Sequence, residues 1–233
     1  MMKAMTLEEL IAEIEARSPA ERQQIFDRLA LTHAVHPLEK KWNVSASVIL
    51  EAISRASDLT HRGVRGIIAE ASFKVSVLDK LRGWSVEELV GDYPYDYAIS
   101  DNAGKVRIQV KMQRRKGGEA MTANQANRAF PSTMFVVETQ KTRGGEKDGE
   151  KTRPYRFGDF DILAVSMAPS TNNWNNFMFT VANWLVPDPL DAKRINKFQP
   201  VAKEANEDWM NDLATCVGWL RSGTTKTVLH KNP

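Results

Sequence analysis

The sequence predicts an α/β (α+β) fold, in which a central mixed β-sheet is flanked by helices and preceded by a helical N-terminal region. Two observations support this fold class. The first quarter of the 233-residue chain carries apolar residues at helical spacing, with capping signals before the runs. In the second half, short apolar or alternating runs are separated by turn residues, which is typical of strands.

The length indicates one domain with a small appendage, because domains usually contain roughly 100–200 residues. We expect residues 1–60 to form the helical region and residues 61–233 to form the larger domain. In the helical region, Thr6 with Glu9 and Ser18 with Glu21 have the spacing of capping boxes. Each of these pairs predicts the start of a helix.

Residues 38–53 have the pattern of a helix-turn-helix unit with its turn at 43–45. The expected core of this unit is Leu38, Trp42, Val44, Val48 and Ile49. Two ordinary packed helices are an equal alternative, because the second helix has no Arg, Lys, Asn or Gln near its start to contact base edges.

The larger domain is expected to begin with a helix over 62–81. A turn at 100–104 then joins the first two of its expected strands, which lie at 93–99, 106–112, 134–139, 161–165 and 177–181. The polar segment 140–156 predicts a long hairpin loop or a flap. The last helix is expected over 204–220, with one face made by Trp209, Leu213, Val217 and Leu220.

Composition excludes several classes of function. One cysteine and four dispersed histidines exclude an intramolecular disulfide framework, a multi-cysteine zinc site and a histidine cluster, so any metal should be a hard, oxygen-ligated ion. Uninterrupted apolar runs are too short for a membrane span, and the acidic, periodic N-terminus is unlike a signal peptide, so a cytoplasmic location is expected. The net charge of +3 permits a nucleic-acid partner without requiring one.

The segment 62–116 carries the residues with the clearest chemical pattern. Glu70 lies on the expected helix, Asp96 on the first strand, and Gln109 and Lys111 on the second strand. Strand alternation points Gln109 and Lys111 to one face, roughly 7 Å apart, and points Val110 the other way. Pairing across the turn can bring Asp96 beside Gln109. A carboxylate, an amide oxygen and an ammonium group would then meet at one edge of the sheet.

This order of residues resembles the PD-(D/E)xK nuclease superfamily, over about a quarter of the chain. The resemblance implies a restriction-endonuclease-like sheet and a Mg²⁺ site made by Asp96, Gln109 and the carbonyl of Val110. It also implies that Lys111 is the catalytic lysine and Glu70 the auxiliary helix acid. The sequence departs from the family pattern twice, because Tyr95 separates Pro94 from Asp96 and because Gln109 replaces an acid.

The resemblance further implies a Mg²⁺-dependent, sequence-specific endonuclease that acts on double-stranded DNA, as type II restriction enzymes do. Such an enzyme is expected to be a homodimer and to leave 5′-phosphate and 3′-hydroxyl ends. Two alternatives stay open: a junction resolvase-like or repair nuclease of the same superfamily, and a non-catalytic DNA-binding regulator using the N-terminal helices. Taken singly, Asp96 could also be a turn aspartate, Glu70 a solvated helix residue, and Gln109 and Lys111 part of a polar strand face.

Basic and polar residues near these positions are the expected contacts to DNA, because phosphates require positive charge close to the cleavage site. The alternative for the basic run at 111–116 is a solvated surface cluster. The alternative for the segment 140–156 is a disordered loop. The expected DNA-binding residues are Arg114, Arg115, Lys116, Gln125, Arg128, Lys141 and Arg143.

Overall fold

The computed structural model describes residues 5–30, 32–33, 36–141, 146–147, 150–151 and 153–229, with main chain only at 146–147 and 150–151. The chain separates into two compact units, Met1–His61 and Arg62–Pro233. Within the described residues, no helix combines the length and the apolar character that crossing a membrane requires.

Helices form the beginning of the chain, and strands with shorter helices between them follow. The helices are α1 (Leu7–Glu15), α2 (Pro19–Ala30), α3 (Pro37–Trp42), α4 (Ala46–Ser54), α5 (Asp58–Ser76), α6 (Ala123–Ala126), α7 (Ala168–Thr171) and α8 (Leu213–Arg221), with 3-10 turns at Leu78–Lys80 and Ala182–Trp184. The strands are β1 (Ser85–Val86), β2 (Tyr97–Asp101), β3 (Gly104–Met112), β4 (Arg115–Lys116), β5 (Glu119–Ala120), β6 (Phe135–Glu138), β7 (Glu146–Lys147), β8 (Glu150–Lys151), β9 (Ile162–Ser166), β10 (Phe177–Val181), β11 (Pro187–Asp188), β12 (Asp191–Ile195) and β13 (Phe198–Val201).

Capping side chains begin the first helices where the sequence predicts. The hydroxyl of Thr6 accepts a hydrogen bond from the Glu9 amide at 3.2 Å, and the Glu9 carboxylate accepts one from the Thr6 amide at 2.8 Å. Ser18 and Glu21 make the same reciprocal pair at the start of α2. These bonds satisfy amides that the first turn of a helix leaves without partners.

The expected core of the helix-turn-helix unit is wrong at three positions. Helices α3 and α4 and the turn between them are present, and Asn43 ends α3 with a φ of 52°. However, Trp42, Val44 and Val48 are 55%, 37% and 56% exposed. Trp42 is the last residue of α3 and Val44 lies in the turn after it, where fewer neighbours cover a side chain than in the middle of a helix. Leu38 and Ile49 are half-buried.

The central sheet is mixed, as predicted, and is accompanied by helices. Its five strands lie in the order β1-β2-β3-β9-β10, with β3 and β9 parallel and the other neighbours antiparallel. Every residue of β9 and β10 is buried. This continuous burial explains why these two strands have apolar runs without alternation.

Strands β11 to β13 were not expected from the sequence. Strand β13 contains Pro200 and pairs with β6 outside the central sheet, and a proline within a run argues against a strand. Gln199 is fully buried there, and its side-chain amide has main-chain partners. The Val186 amide donates to its Oε1 at 2.7 Å, and its Nε2 donates to the Val186 carbonyl at 2.8 Å. A buried glutamine with main-chain partners cannot be distinguished in sequence from an exposed one.

The last helix is shorter than predicted, because α8 begins at Leu213 instead of near residue 204. Asp212 caps it by accepting a hydrogen bond from the Thr215 amide at 2.7 Å. Before it, Asn206 bonds the amides of Asp208 and Trp209 at 2.9 Å, and Met210 pairs with Phe179. Trp209 is therefore buried as expected, but from a turn and not from a helix.

An ion pair holds β3 against the start of β9. The carboxylate of Asp161 accepts hydrogen bonds from the main-chain amide of Arg107 at 2.8 Å and from its guanidinium at 2.7 and 2.9 Å. The Arg107 guanidinium also donates to the carbonyl of Gly158 at 2.7 Å. These bonds connect residues far apart in sequence and fix the two parallel strands at their beginning.

Replacing Asp161 is expected to destabilise the fold. In Asp161→Asn, Arg107 loses its ionic partner, and we expect the free energy of unfolding to fall by about 1.5–3 kcal/mol. Urea unfolding followed by circular dichroism measures the change. The control is Glu87→Gln, which removes a more exposed pair with Lys105 and should change stability by less than about 1 kcal/mol. Equal losses in the two variants would contradict this role of Asp161.

Candidate active site

The β2–β3 hairpin sets the position of the candidate site residues. Asp101 pairs with Gly104 across a two-residue turn, and Tyr97 pairs with Ile108. Asp96 precedes β2, and its amide donates to the carbonyl of Ile108 at 3.0 Å. The same register therefore brings Asp96 next to Gln109, as the alternation of the sequence predicts.

The oxygen atoms of Asp96 and Val110 converge on one point. The Oδ2 atom of Asp96 accepts a hydrogen bond from the Val110 amide at 2.8 Å and another from Nε2 of Gln109. The same Nε2 atom donates to the carbonyl oxygen of Val110 at 3.1 Å. The positively polarised NH₂ group of Gln109 thus lies between the Asp96 carboxylate and the Val110 carbonyl.

The oxygen atoms of these three residues fit the coordination preference of a hard divalent cation. Carboxylate, carbonyl and amide oxygens are the ligands that Mg²⁺ prefers, and Asp96, Val110 and Gln109 offer one of each. A half-turn of the Gln109 amide would exchange its nitrogen for its oxygen at the same place. Among the residues that the structure describes, no group of three or more His, Cys, Asp or Glu side chains forms a metal site. The fit therefore depends on a carbonyl and an amide beside a carboxylate.

Lys111 follows Gln109 by two residues on β3, on the same face of the strand, and interacts electrostatically with Asp96. Burial lowers the pKa of its ammonium, while the negative charges of Asp96, Glu70 and Glu138 oppose that shift. Its Nζ lies 5.4 Å from the centroid of the Tyr155 ring. A lysine with a lowered pKa can hold or exchange a proton more readily than a solvated one.

Glu70 faces the same group from helix α5. Burial raises the pKa of its carboxyl to about 7, with a further rise from Asp96 and an opposing effect from Lys111. Burial also raises the pKa of Asp96, against the effects of Lys111 and the Val110 amide. The Tyr97 hydroxyl donates to the main-chain oxygen of Glu70 at 2.9 Å and so joins the helix to β2. Glu70, Asp96, Gln109 and Lys111 thus come together in one site.

Tyr155 is a residue of this site that the sequence does not reveal. It is 4% exposed, and its ring packs edge-on against Phe160 with centroids 5.3 Å apart. Lys111 and Lys141 both place their Nζ atoms over this ring, at 5.4 and 5.6 Å from its centroid. Burial and then the charge of Asp96 raise the pKa of the Tyr155 hydroxyl. Its position in a polar segment gives no signal of burial.

The basic run after β3 is divided among different contacts. Arg114 donates to the carboxylate of Glu138 on β6. Arg115 donates to the carbonyl of Gly118 at 2.9 Å within the β4–β5 hairpin. Lys116 is exposed beside the turn at Gly117 and Gly118, whose φ angles of 59° and 90° suit glycine. Two of these three cations therefore have partners inside the protein.

The other expected DNA-binding residues lie at separate places. Gln125 and Arg128 are exposed, and Gln125 accepts a hydrogen bond from the Thr122 amide at 3.0 Å, which caps α6. Lys141 is half-buried beside Tyr155. Arg143 lies outside the described residues. Of this second group, Lys141 is the residue that the structure brings to the site.

Comparison with known proteins finds similarity at the level of structure and none at the level of sequence families. No protein-family model matches the sequence, and no curated protein matches it either. Among solved structures, the chain is similar to a bacterial homing endonuclease, I-Ssp6803I, with 20% sequence identity and a TM-score of 0.34, over 63% of this chain and 81% of that chain.

The raised pKa of Glu70 predicts a pH-dependent stability. The carboxyl titrates near 4.5 in the unfolded chain and near 7 in the folded chain, so ionisation destabilises the fold as pH rises through this window. Because solvent screens the half-buried group, we expect Glu70→Gln at pH 8 in EDTA to be more stable than wild type by only about 1 kcal/mol. At pH 4.5 and below, this difference should vanish.

Thermal or urea unfolding at the two pH values measures this effect. The control is Glu119→Gln, which removes an exposed carboxylate from the β4–β5 hairpin. Its stability relative to wild type should be the same at both pH values. A difference between Glu70→Gln and wild type that is independent of pH would show that burial of the charge is not its cause.

Proposed function

We propose that the protein is a Mg²⁺-dependent, sequence-specific endonuclease that hydrolyses phosphodiester bonds in double-stranded DNA. The observation that carries this proposal is the convergence of Asp96 Oδ2 and the Val110 carbonyl on one atom of Gln109, with Lys111 alongside. We propose residues 61–233 as a catalytic domain of the PD-(D/E)xK type. With one such site in each chain, two copies would be needed to cut both strands together, so we propose a homodimer.

The candidate metal site would be held by Asp96, Gln109 and the carbonyl of Val110. A bound Mg²⁺ supplies a Lewis acid for the phosphoryl oxygen and lowers the pKa of a coordinated water. Asp96 would provide the negative charge among these ligands, since Gln109 and Val110 are neutral. Glu70 is the second carboxylate within electrostatic reach of Asp96 and Lys111.

Lys111 would act on the attacking water and on the developing charge of the phosphate. As a neutral amine it can accept a proton from water, and as an ammonium it can stabilise negative charge. Burial favours the neutral form, and the facing carboxylates favour the charged form. Attack of water on phosphorus, with cleavage of the bond from phosphorus to O3′ and protonation of the departing O3′, would leave 5′-phosphate and 3′-hydroxyl ends.

The direct test is digestion of plasmid DNA in Mg²⁺, followed by sequencing of the fragment ends. Wild type should give discrete fragments, and Asp96→Asn and Lys111→Ala should each lower the rate by about 10²–10⁴-fold. The control is Lys105→Ala, on the same strand but paired with Glu87, which directly follows β1; its rate should stay near wild type.

The outcomes separate the rival functions. Cleavage that survives both Asp96→Asn and Lys111→Ala would place the chemistry elsewhere. Cleavage of four-way junctions in preference to plasmid would indicate a structure-specific nuclease. Duplex binding without cleavage in Mg²⁺ or Mn²⁺ would indicate a DNA-binding regulator.

The contact with Tyr155 predicts a shift in the pH–rate profile. In Tyr155→Leu the site stays apolar but loses the ring face that attracts the Lys111 ammonium, so the pKa of that ammonium should fall by about one unit. The limb of the pH–rate profile that reports Lys111 should move to lower pH, whichever protonation state is active. Tyr155→Phe keeps the ring and should retain the wild-type profile. A profile unchanged in Tyr155→Leu would contradict this role of the ring.

A further inference from the structure

Among the residues that the structure describes, three cations surround the carboxylate of Glu138, at the end of β6. Arg114 Nη1 donates to Oε2, Arg153 Nη2 lies 3.8 Å from Oε1, and Lys197 Nζ lies 3.7 Å from Oε1. We call Arg114, Glu138, Arg153 and Lys197 the Glu138 cluster. One negative charge against three positive charges leaves this cluster with a net charge of +2.

The three cations are held to different degrees. Arg114 makes the hydrogen bond to Glu138, and its guanidinium lies over the Phe198 ring, 6.0 Å from the centroid. The charges of Arg153 and Lys197 are beyond hydrogen-bond distance of Glu138, and their side chains are 52% and 47% exposed. Such exposed pairs are weak and exchange partners at little cost. Arg153 and Lys197 can therefore turn to an anion in solution while Arg114 stays on Glu138.

The main chain beneath the cluster is held by the β6–β13 pairing. Glu138 pairs directly with Phe198. Next to this pair, the Thr139 amide donates to the carbonyl of Lys197 at 2.8 Å, and the Thr139 hydroxyl donates to the carbonyl of Asn196 at 2.6 Å. The positions from which the charges extend are thus fixed before any ligand arrives.

The Glu138 cluster continues into the candidate active site through Lys141 and Tyr155. The Lys141 amide donates to the carbonyl of Arg153 at 2.9 Å, and Arg153 Nε donates back to the carbonyl of Lys141 at 3.2 Å. Lys141 Nζ lies over the Tyr155 ring, which also contacts Lys111. The charge of Glu138 acts on Lys111 directly. A continuous set of cations therefore leads from Lys111 to Lys197.

We propose that the Glu138 cluster is a phosphate-binding surface for the DNA duplex next to the cleavage site, with Arg153 and Lys197 as the contacting cations. The choice of DNA as ligand rests on the proposed function. Arg114 is then a positioning residue that keeps Glu138 in place, and Glu138 holds the two contacting cations in the free protein. Neither Arg153 nor Lys197 lies in the basic run beside Lys111 in sequence.

The salt dependence of duplex binding tests this surface. The observed binding constant falls with salt, with a slope of about 0.9 in log–log units for each phosphate neutralised. Fluorescence anisotropy with a labelled duplex in EDTA, from 50 to 200 mM salt, should give a slope smaller by about 0.9 in Arg153→Gln or Lys197→Gln and by about 1.8 in the double variant.

The matched control is Lys105→Gln. Lys105 has the same 47% side-chain exposure as Lys197 and also pairs with a glutamate, but it lies at the opposite end of β3 from Arg114. Its slope should equal that of wild type. Equal slopes in wild type and the double variant, or an equal loss in Lys105→Gln, would overturn the proposal, as would failure of wild type to bind duplex at 50 mM salt.

A parallel digestion in Mg²⁺ separates this inference from the proposed function. If wild type cuts the duplex while the double variant keeps the wild-type slope, the surface is wrong and the nuclease stands. If the slopes change as expected and wild type does not cut, the surface stands and the nuclease is wrong. Thermal unfolding of each variant checks that both substitutions leave the fold intact.

Discussion

The register between β2 and β3 is the constraint on which the candidate site depends. The side chains of a strand alternate between two faces, so a slip of one residue would send Gln109 and Lys111 to the opposite face and remove the Val110 amide from Asp96. The two-residue turn fixes this register at one end of the hairpin. The bonds between Arg107 and Asp161 fix β3 against its parallel neighbour on the other side. Sheet pairing thus determines which polar atoms meet.

Burying charge at this point has an electrostatic consequence. Desolvation disfavours the ionised forms of Glu70, Asp96 and Lys111 alike. The lysine and the carboxylates offset part of that cost for each other, but the charge of Asp96 raises the pKa of Glu70 further. One ammonium group does not neutralise two carboxylates, so added positive charge favours their ionised forms. The number and burial of these charges thus support the proposed cation in addition to the ligand atoms.

The sequence predicts the local parts of the site and misses the distant ones. Alternation within one strand is sufficient to place Gln109 and Lys111 on a common face, and a short turn is sufficient to bring Asp96 beside them. Tyr155 and Lys197 reach the site region through pairings between distant segments, for which a single sequence carries no signal. Trp209 is correctly expected to be buried, but its apolar spacing also fits a turn followed by a helix. Hydrophobic periodicity predicts which residues are buried more reliably than it predicts whether a helix or a turn buries them.

The basic residues close to Lys111 in sequence differ from those close to it in space. Of the run that follows β3, Arg114 is committed to Glu138, and Arg115 closes its own hairpin. The exposed charges of Arg153 and Lys197 come from two other segments of the chain, gathered by the single carboxylate of Glu138. A carboxylate in a basic surface lowers the net charge, but it also keeps like charges together that would otherwise repel. The modest net charge of +3 for the whole chain is therefore compatible with a strongly positive surface beside the candidate active site.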